Sequence, residues 1–333
     1  MVRFELAYDL FCPPSSPVPM AAHYAAMLDQ ADYADSHGFD AVHFNEHHGV
    51  EENYLPSPLV AAAAVAARTR KVQLRTLLLT PFYGPVKLAE DIAVVDLLSG
   101  GRMVPVFAAG YVDREFEMFG KDLADRRRTV DSAVEFVRRA WTEDEVEFEG
   151  RRVRVTPKPV QQPHPPIVMA GTSRVAARAA ARLADDFLAS EEWRTVYREA
   201  CVELGKPDPG PGPKRLPFIH VTEDPERDWP HIAPFLLTAI GKYLGWTTGN
   251  VQAVGRTTSA PFQIRTEEDL RQSPAYRIVT PDECVELVAG LGQDGLVRLN
   301  PGWGGYDPQL AWSSLELLAT KVLPQLREQT SPV

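Results

Sequence analysis

The densest group of side chains able to do chemistry is His43-Phe44-Asn45-Glu46-His47-His48. On an extended strand His43 and Asn45 share a face, so Glu46, His47 and His48 fall just past the strand's carboxyl end. Three uses compete for such a cluster. The side chains can cap loops and bond backbone groups, they can ligate a metal, or the imidazoles can act as acid, base or hydrogen-bond partner to a bound cofactor. Zincin-type spacing is absent and later strand ends are poor in Asp and His, so no metal ligands are assigned. A second group, Met169-Ala170-Gly171-Thr172-Ser173-Arg174, runs from a strand through a turn into an Ala-rich helix. Gly171 lets a backbone come close, Thr172 or Ser173 caps the helix, and the helix start with Arg174 favours an anion. Plain capping explains the same residues.

Three further features have two readings each. Small residues close the strand that ends Ala108-Ala109-Gly110-Tyr111, which suits a flat ligand or close helix packing. Arg126, Arg127 and Arg128 are consecutive cations that cannot share one helical face; one is free for a phosphate, or all form a solvated turn. Asn300-Pro301-Gly302-Trp303-Gly304-Gly305-Tyr306 is an aromatic platform for a substrate or a glycine-rich turn. No lysine follows Gly171 as a P-loop requires, and no GxGxxG follows a strand.

These residues need a frame. Apolar runs at Phe4–Leu10, Ala41–Asn45, Val72–Leu79, Met103–Ala108, Pro166–Ala170 and Asp185–Leu188 alternate with amphipathic stretches. The helices are expected at Ala21–Ser36, Pro58–Arg68, Val86–Leu98 (Asp91 and Asp96 on its wet side), Arg126–Trp141 and Ser173–Leu183. The alternation predicts a parallel sheet buried on both faces, and its persistence to the end favours a (β/α)8 barrel over a doubly wound sheet. Gly205–Pro217 carries five prolines and cannot be helical. With Leu216–Val221 as a strand and His231–Trp246 as a helix, residues 205–275 read as an insertion before the last strand, a lid or subdomain. Trp229, Trp246 and Phe262 within it suit an aromatic or apolar pocket, or ordinary core. Helices at Pro281–Leu291 and Gln309–Glu328 enclose a last strand, Gly295–Leu299.

Composition narrows the class. With 333 residues, 35 basic and 45 acidic side chains give a formal charge of −10, which argues against a nucleic acid partner. No apolar run approaches a membrane span, and Met1–Leu10 alternates unlike a secretory signal. Cys12, Cys201 and Cys284 are odd in number and scattered, as expected of a reducing cytoplasm.

The ordered set of motifs resembles the bacterial-luciferase-like flavin monooxygenases. Phe44-Asn45-Glu46-His47-His48 with Tyr54-Leu55-Pro56-Ser57-Pro58, and Pro85-Val86-Lys87-Leu88-Ala89-Glu90-Asp91 with Leu98-Ser99-Gly100-Gly101-Arg102, are similar to that family's signatures. Phe116-Glu117-Met118-Phe119-Gly120, Pro159-Val160-Gln161, Gly171-Thr172-Ser173 and Trp303-Gly304-Gly305 follow in order. The likeness is dense over residues 1–190, returns at 280–326 and fades between. It implies one barrel domain over 1–333 and reduced FMN from a separate reductase, or the deazaflavin F420 in one branch. With FMN it implies that reduced FMN adds O2 to give a C4a-(hydro)peroxyflavin that oxygenates a small organic substrate; with F420, hydride transfer. A non-catalytic flavin-binding barrel and a metal-dependent hydrolase are the other classes. Under the resemblance His47 faces the reactive edge of the flavin and His48 supports it. Thr76, Leu77, Ala108 and Ala109 line the ring; Arg127 or Arg128 with Gly171, Thr172 and Ser173 holds the phosphate. Trp303 and Tyr111 are the candidate substrate contacts, and a homodimer built on barrel helices is implied. Some luciferases carry Cys-Arg where this chain has Ala108-Ala109, so one phosphate cation is missing.

Overall fold

In the computed structural model, residues 2–248 and 264–330 are described; Phe262 lies outside them. Strands and helices alternate from the start. The elements are β1 (Arg3–Tyr8), α1 (Met20–His37), β2 (Ala41–Phe44), α2 (Pro58–Arg68), β3 (Gln73–Leu79), α3 (Pro85–Ser99) and β4 (Met103–Ala108). A short helix α4 (Asp113–Met118) precedes α5 (Arg126–Thr142) and a hairpin, β5 (Val146–Phe148) and β6 (Arg151–Val153). Then come β7 (Val168–Ala170), α6 (Arg174–Leu183), β8 (Asp186–Leu188), α7 (Glu191–Glu203), β9 (Arg215–Leu216), β10 (Phe218–Val221) and α8 (Pro225–Thr248). The chain closes with α9 (Glu267–Gln272), β11 (Tyr276–Val279), α10 (Pro281–Ala289), β12 (Leu296–Leu299), α11 (Pro308–Leu317) and α12 (Leu323–Thr330).

The main sheet is parallel, in the order β8-β7-β4-β3-β2-β1-β12-β9. The first strand pairs with both the second and the last, so the chain wraps once around in sequence order, the connectivity of a (β/α)8 barrel. Between β8 and β9 a side chain makes the stitch. Arg194 of α7 bonds Asp186 and the Phe187 carbonyl on one side, and donates to the Gly210 carbonyl at 3.2 Å on the other.

The seventh strand of the barrel, counted around it, is split into β9 and β10. Pro217 lacks the N–H a ladder needs, so β9 pairs with β12 while β10 swings out to pair with β11. The expected insertion therefore contains a barrel strand, and the true excursion begins after Val221. Its main element is α8, which starts at Pro225, earlier than the helix expected from His231.

Helix α5 buries Val130, Ala133, Val134, Val137, Ala140 and Trp141, the face its spacing predicted. Asp96 corrects the reading of α3. It is fully buried and accepts the Val160 and Gln161 N–H groups at 2.8 and 3.0 Å, and the Gln161 amide at 2.6 Å. Being buried, a carboxylate needs such donors, and here it ties the chain before β7 to α3. Arg102 is also structural: its guanidinium donates to the Ala66, Thr69 and Val72 carbonyls at the end of α2.

The inner wall has two chemistries. Leu77, Val104, Val106, Val168, Ala170 and Leu188 form its apolar side. Glu5, His43, Arg75 and Arg298 crowd the other. Alternation along a strand then sets which neighbours face out.

Candidate active site

The carboxyl end of β2 delivers Glu46, His47 and His48 to the barrel mouth, and each imidazole is held by its own carboxylate. Nδ1 of His47 lies 2.9 Å from Oε1 of Glu115, which also accepts the His48 backbone N–H at 2.8 Å. Nε2 of His48 lies 2.7 Å from Oε1 of Glu46. Glu46 in turn accepts the Tyr83 hydroxyl at 2.8 Å and the Leu79 N–H at 2.7 Å. Both carboxylates are about 1% exposed, so they are fixed props rather than solvated charges. A carboxylate on Nδ1 puts the ring proton there and leaves the lone pair of His47 on Nε2. Nε2 makes no hydrogen bond among the described residues, so it is the nitrogen available to a ligand.

Gly110 makes this dyad possible. Its φ is +72°, and a Cβ there would stand 3.1 Å from the Phe116 ring. Without the side chain, the loop turns tightly enough to bring α4, and with it Glu115, against β2.

Around His47 stands an aromatic wall. Ring centroids lie at 4.6 Å for Trp246, 5.1 Å for Tyr54, 5.8 Å for Tyr243 and 5.9 Å for Tyr111. Tyr243 and Trp246 sit three apart on one face of α8, so this helix covers the mouth. Trp303 packs with the same group, and Gly304 beside it admits α8. There, a Cβ would come 2.3 Å from the Phe235 carbonyl oxygen. His48 instead touches Phe82 and Phe119, whose rings stack 4.5 Å apart.

Beneath this wall lies Asp9, at the end of β1. It accepts the Phe11 N–H at 3.0 Å and faces the Tyr243 hydroxyl at 3.5 Å. Burial pushes its carboxyl up to about 6, against the lowering influence of Phe11, Trp303 and His47. A raised folded value means that the native chain holds a proton which the unfolded chain has lost between about pH 4 and about pH 6. Stability attributable to Asp9 therefore falls as pH rises through that window, by about 3 kcal/mol in full. Asp9→Asn should remove this slope. In urea denaturation the variant is expected to gain on the wild type from about pH 4 to about pH 7, and a constant difference would show that Asp9 carries no such strain.

The remaining expected residues divide. Leu77 faces inward with the apolar wall, and Ala108, in step with Val104 and Val106, closes that wall next to Ala109. Thr76 does not join them. It is fully buried on the opposite, helix-facing side, its hydroxyl 3.8 Å from the Met103 sulfur, because adjacent strand residues point to opposite faces. Gly171, Thr172 and Ser173 lead into α6, whose first turn Ser173 caps by accepting the Ala176 N–H at 3.2 Å. Gly171 is required there: a Cβ would stand 2.6 Å from Cβ of Ala176.

Arg127 and Arg128 part company. Arg128 is exposed and paired with Asp125 at 2.9 Å. Arg127 is largely buried; its Nη2 is 2.8 Å from Asp131, yet neither Nε nor Nη2 has a well-directed hydrogen bond. Its level relative to α6 follows from Arg138, which donates to the Leu183 carbonyl at 2.8 Å. Counting back at about 1.5 Å per residue puts Arg127 and the start of α6 within about one turn in height. A half-satisfied guanidinium near a capped helix start suits a phosphate tail.

Glu115, Tyr54, Tyr243 and Asp9 were not singled out from sequence. Asp9 had a signal, as a carboxylate at a strand's carboxyl end. Glu115 had none, since acidic residues surround it in α4. Among the described residues no group of three or more His, Cys, Asp or Glu is placed to hold a metal, and no helix is long and apolar enough to cross a membrane.

The structure is thus a parallel barrel with two buttressed imidazoles past the carboxyl end of β2, beneath an aromatic wall. Residues 7–298 match the family model for luciferase-like monooxygenases, and the chain belongs to that family. The oxygenase component of the flavin-dependent trigonelline monooxygenase of Acinetobacter baylyi is 26% identical, covering 92% of this chain and 90% of that protein. An F420-dependent glucose-6-phosphate dehydrogenase of Segniliparus rotundus is 29% identical, covering 88% and 91%. The crystal structure of the monooxygenase RslO1 from Streptomyces bottropensis superposes with a TM-score of 0.79 at 26% identity, covering 97% of this chain and 99% of that one. With such relatives the chain is an oxidoreductase, and the relatives themselves use a flavin or F420.

Proposed function

We propose that this protein is the oxygenase of a two-component monooxygenase, taking reduced FMN from a separate reductase and using O2 on a small, flat organic substrate. The observation that carries the reading is the Glu115–His47 dyad, its free Nε2 turned to a mouth lined by aromatic rings. Reduced FMN, when bound, supplies the electrons for oxygen activation. Arg127, the start of α6 and the Gly171-Thr172-Ser173 turn hold its phosphate, and Leu77, Ala108 and Ala109 leave room for its ring. His47, oriented by Glu115, gives or takes a proton at Nε2. His48, held by Glu46, keeps the loop after β2 in place. Tyr243 and Trp246 of α8 close the site from water, which would otherwise drain the oxidising equivalents. Tyr111 and Trp303 with Tyr54 offer an aromatic substrate a wall of ring faces.

The flavin-dependent trigonelline enzyme supports a flavin cofactor and a heteroaromatic substrate. The F420-dependent relative supports the second reading, hydride transfer to or from F420. Anaerobic titration with reduced FMN and reduced F420, followed by oxygen, separates them. Tight binding of reduced FMN and a delayed return of oxidised-flavin absorbance relative to free FMN is the expected result. Binding of F420 alone, with no response to oxygen, would transfer the assignment.

The expected homodimer has a surface to form on. Val94, Leu97 and Leu98 of α3 are 41–57% exposed, an apolar strip a monomer would leave wet. Leu97→Glu with Leu98→Glu should therefore convert a dimer to a monomer in light scattering. A wild type that scatters as a monomer ends this part of the proposal.

A further inference from the structure

Below the mouth, the polar side of the barrel interior contains more positive charge than it neutralises. Among the described residues Glu5 is the only carboxylate in contact with two guanidiniums there: Nη2 of Arg298 stands 3.0 Å from its Oε2, and Nη1 of Arg75 3.7 Å from its Oε1. Asp186 faces the same space but is spent on Arg194 and half exposed. Arg215 lies within the field of the same groups, so the guanidiniums outnumber the carboxylate and leave a net positive charge.

Donor capacity is also left over. Nε of Arg75, Nε of Arg298 and Nδ1 of His43 are buried and have no hydrogen-bond partner. His43 is 1% exposed and lies within the field of Arg298, Arg75 and Arg215. Its Nε2 meets Oδ1 of Asn45 at 3.1 Å. With the Asn45 amide turned over, its NH2 donates to Nε2 and the ring proton moves to Nδ1, making His43 a third donor.

We infer that this chamber binds a small monovalent inorganic anion of the chloride class, ligated by Arg75 Nε, Arg298 Nε and His43 Nδ1. A negative charge offsets that excess, and a sphere without lone-pair direction accepts N–H groups from several sides. Size is limited because the facing wall is Val104, Val106 and Val168, which leave no polar partner for the oxygens of a larger oxyanion. Arg3 and Arg215, exposed at the amino-terminal ends of β1 and β9, form a cationic rim through which an anion can enter. The site lies below the mouth: His43 is inside β2, whereas His47 follows the end of that strand. It does not depend on which cofactor the mouth takes.

The test is anion exchange at constant ionic strength. Replacing chloride by isethionate, too bulky for the chamber, should lower the thermal midpoint of the wild type by about 3 °C. Crystals soaked in bromide should show an anomalous peak between Arg75, Arg298 and His43. Arg75→Met removes one donor and one positive charge, so its midpoint should lose most of its response to the exchange. If that variant fails to fold, the bromide crystals of the wild type still decide the question. A midpoint indifferent to chloride, a chamber filled by water in bromide crystals, or an Arg75→Met protein that keeps the chloride response would each overturn the assignment.

Discussion

Replacing His47 by alanine is expected to lower the yield of coupled oxygenated product by about 10²- to 10³-fold, while reduced FMN binds within about two-fold of the wild type. The asymmetry follows from the geometry. Nδ1 of His47 is committed to Glu115, so its chemistry is carried by Nε2, and neither nitrogen is part of the phosphate grip. Oxygen consumed without product, released as peroxide, should rise in step. Glu115→Gln separates chemistry from orientation: the glutamine carbonyl can still accept the Nδ1 proton, but no charge steadies the ring. A loss of about ten-fold is expected, much smaller than for His47→Ala. If His47→Ala turns over with unchanged coupling, the imidazole is structural and the aromatic wall around it is simply core.

Arg127→Ala should weaken reduced FMN binding by about 10- to 100-fold, the worth of a charge-assisted bond to a phosphate. Arg128→Ala should leave it within about two-fold, because Arg128 is solvated and already paired with Asp125. Riboflavin, which lacks the phosphate, provides the control. Its affinity should not respond to Arg127→Ala. Equal losses for FMN and riboflavin would mean that Arg127 props α5 through Asp131 and holds no anion. Fluorescence quenching of the flavin reads all four combinations directly.

Much of the frame could be read along the chain. Period and length separate strand from helix locally, which is why α5 and the strands from β1 to β4 fall where expected. The same local rule placed His47 and His48 just past a strand end, and in a parallel barrel that is the working face. Asp96 shows where local reading fails. A carboxylate in an amphipathic helix is expected to be wet, yet Val160 and Gln161, more than sixty residues on, offer it three donors that make burial tolerable.

The expectation that Thr76 and Leu77 both line the ring fails differently, and only at Thr76. Alternation requires them to face opposite ways, but a strand buried on both sides contains no mark of which way is in, and the choice is made by what β4 and the helices present. The partner of His47 is the deepest case. Glu115 is 68 residues away, and it arrives only because β2, β3 and β4 pair in turn and Gly110 lets α4 fold back over the mouth. Which elements form is thus written in short-range periodicity, since each is stabilised by residues a few positions apart. Which side chains meet, and so what the mouth and the charged chamber beneath it can bind, depends on strand pairing and helix docking, which join residues that no local pattern connects.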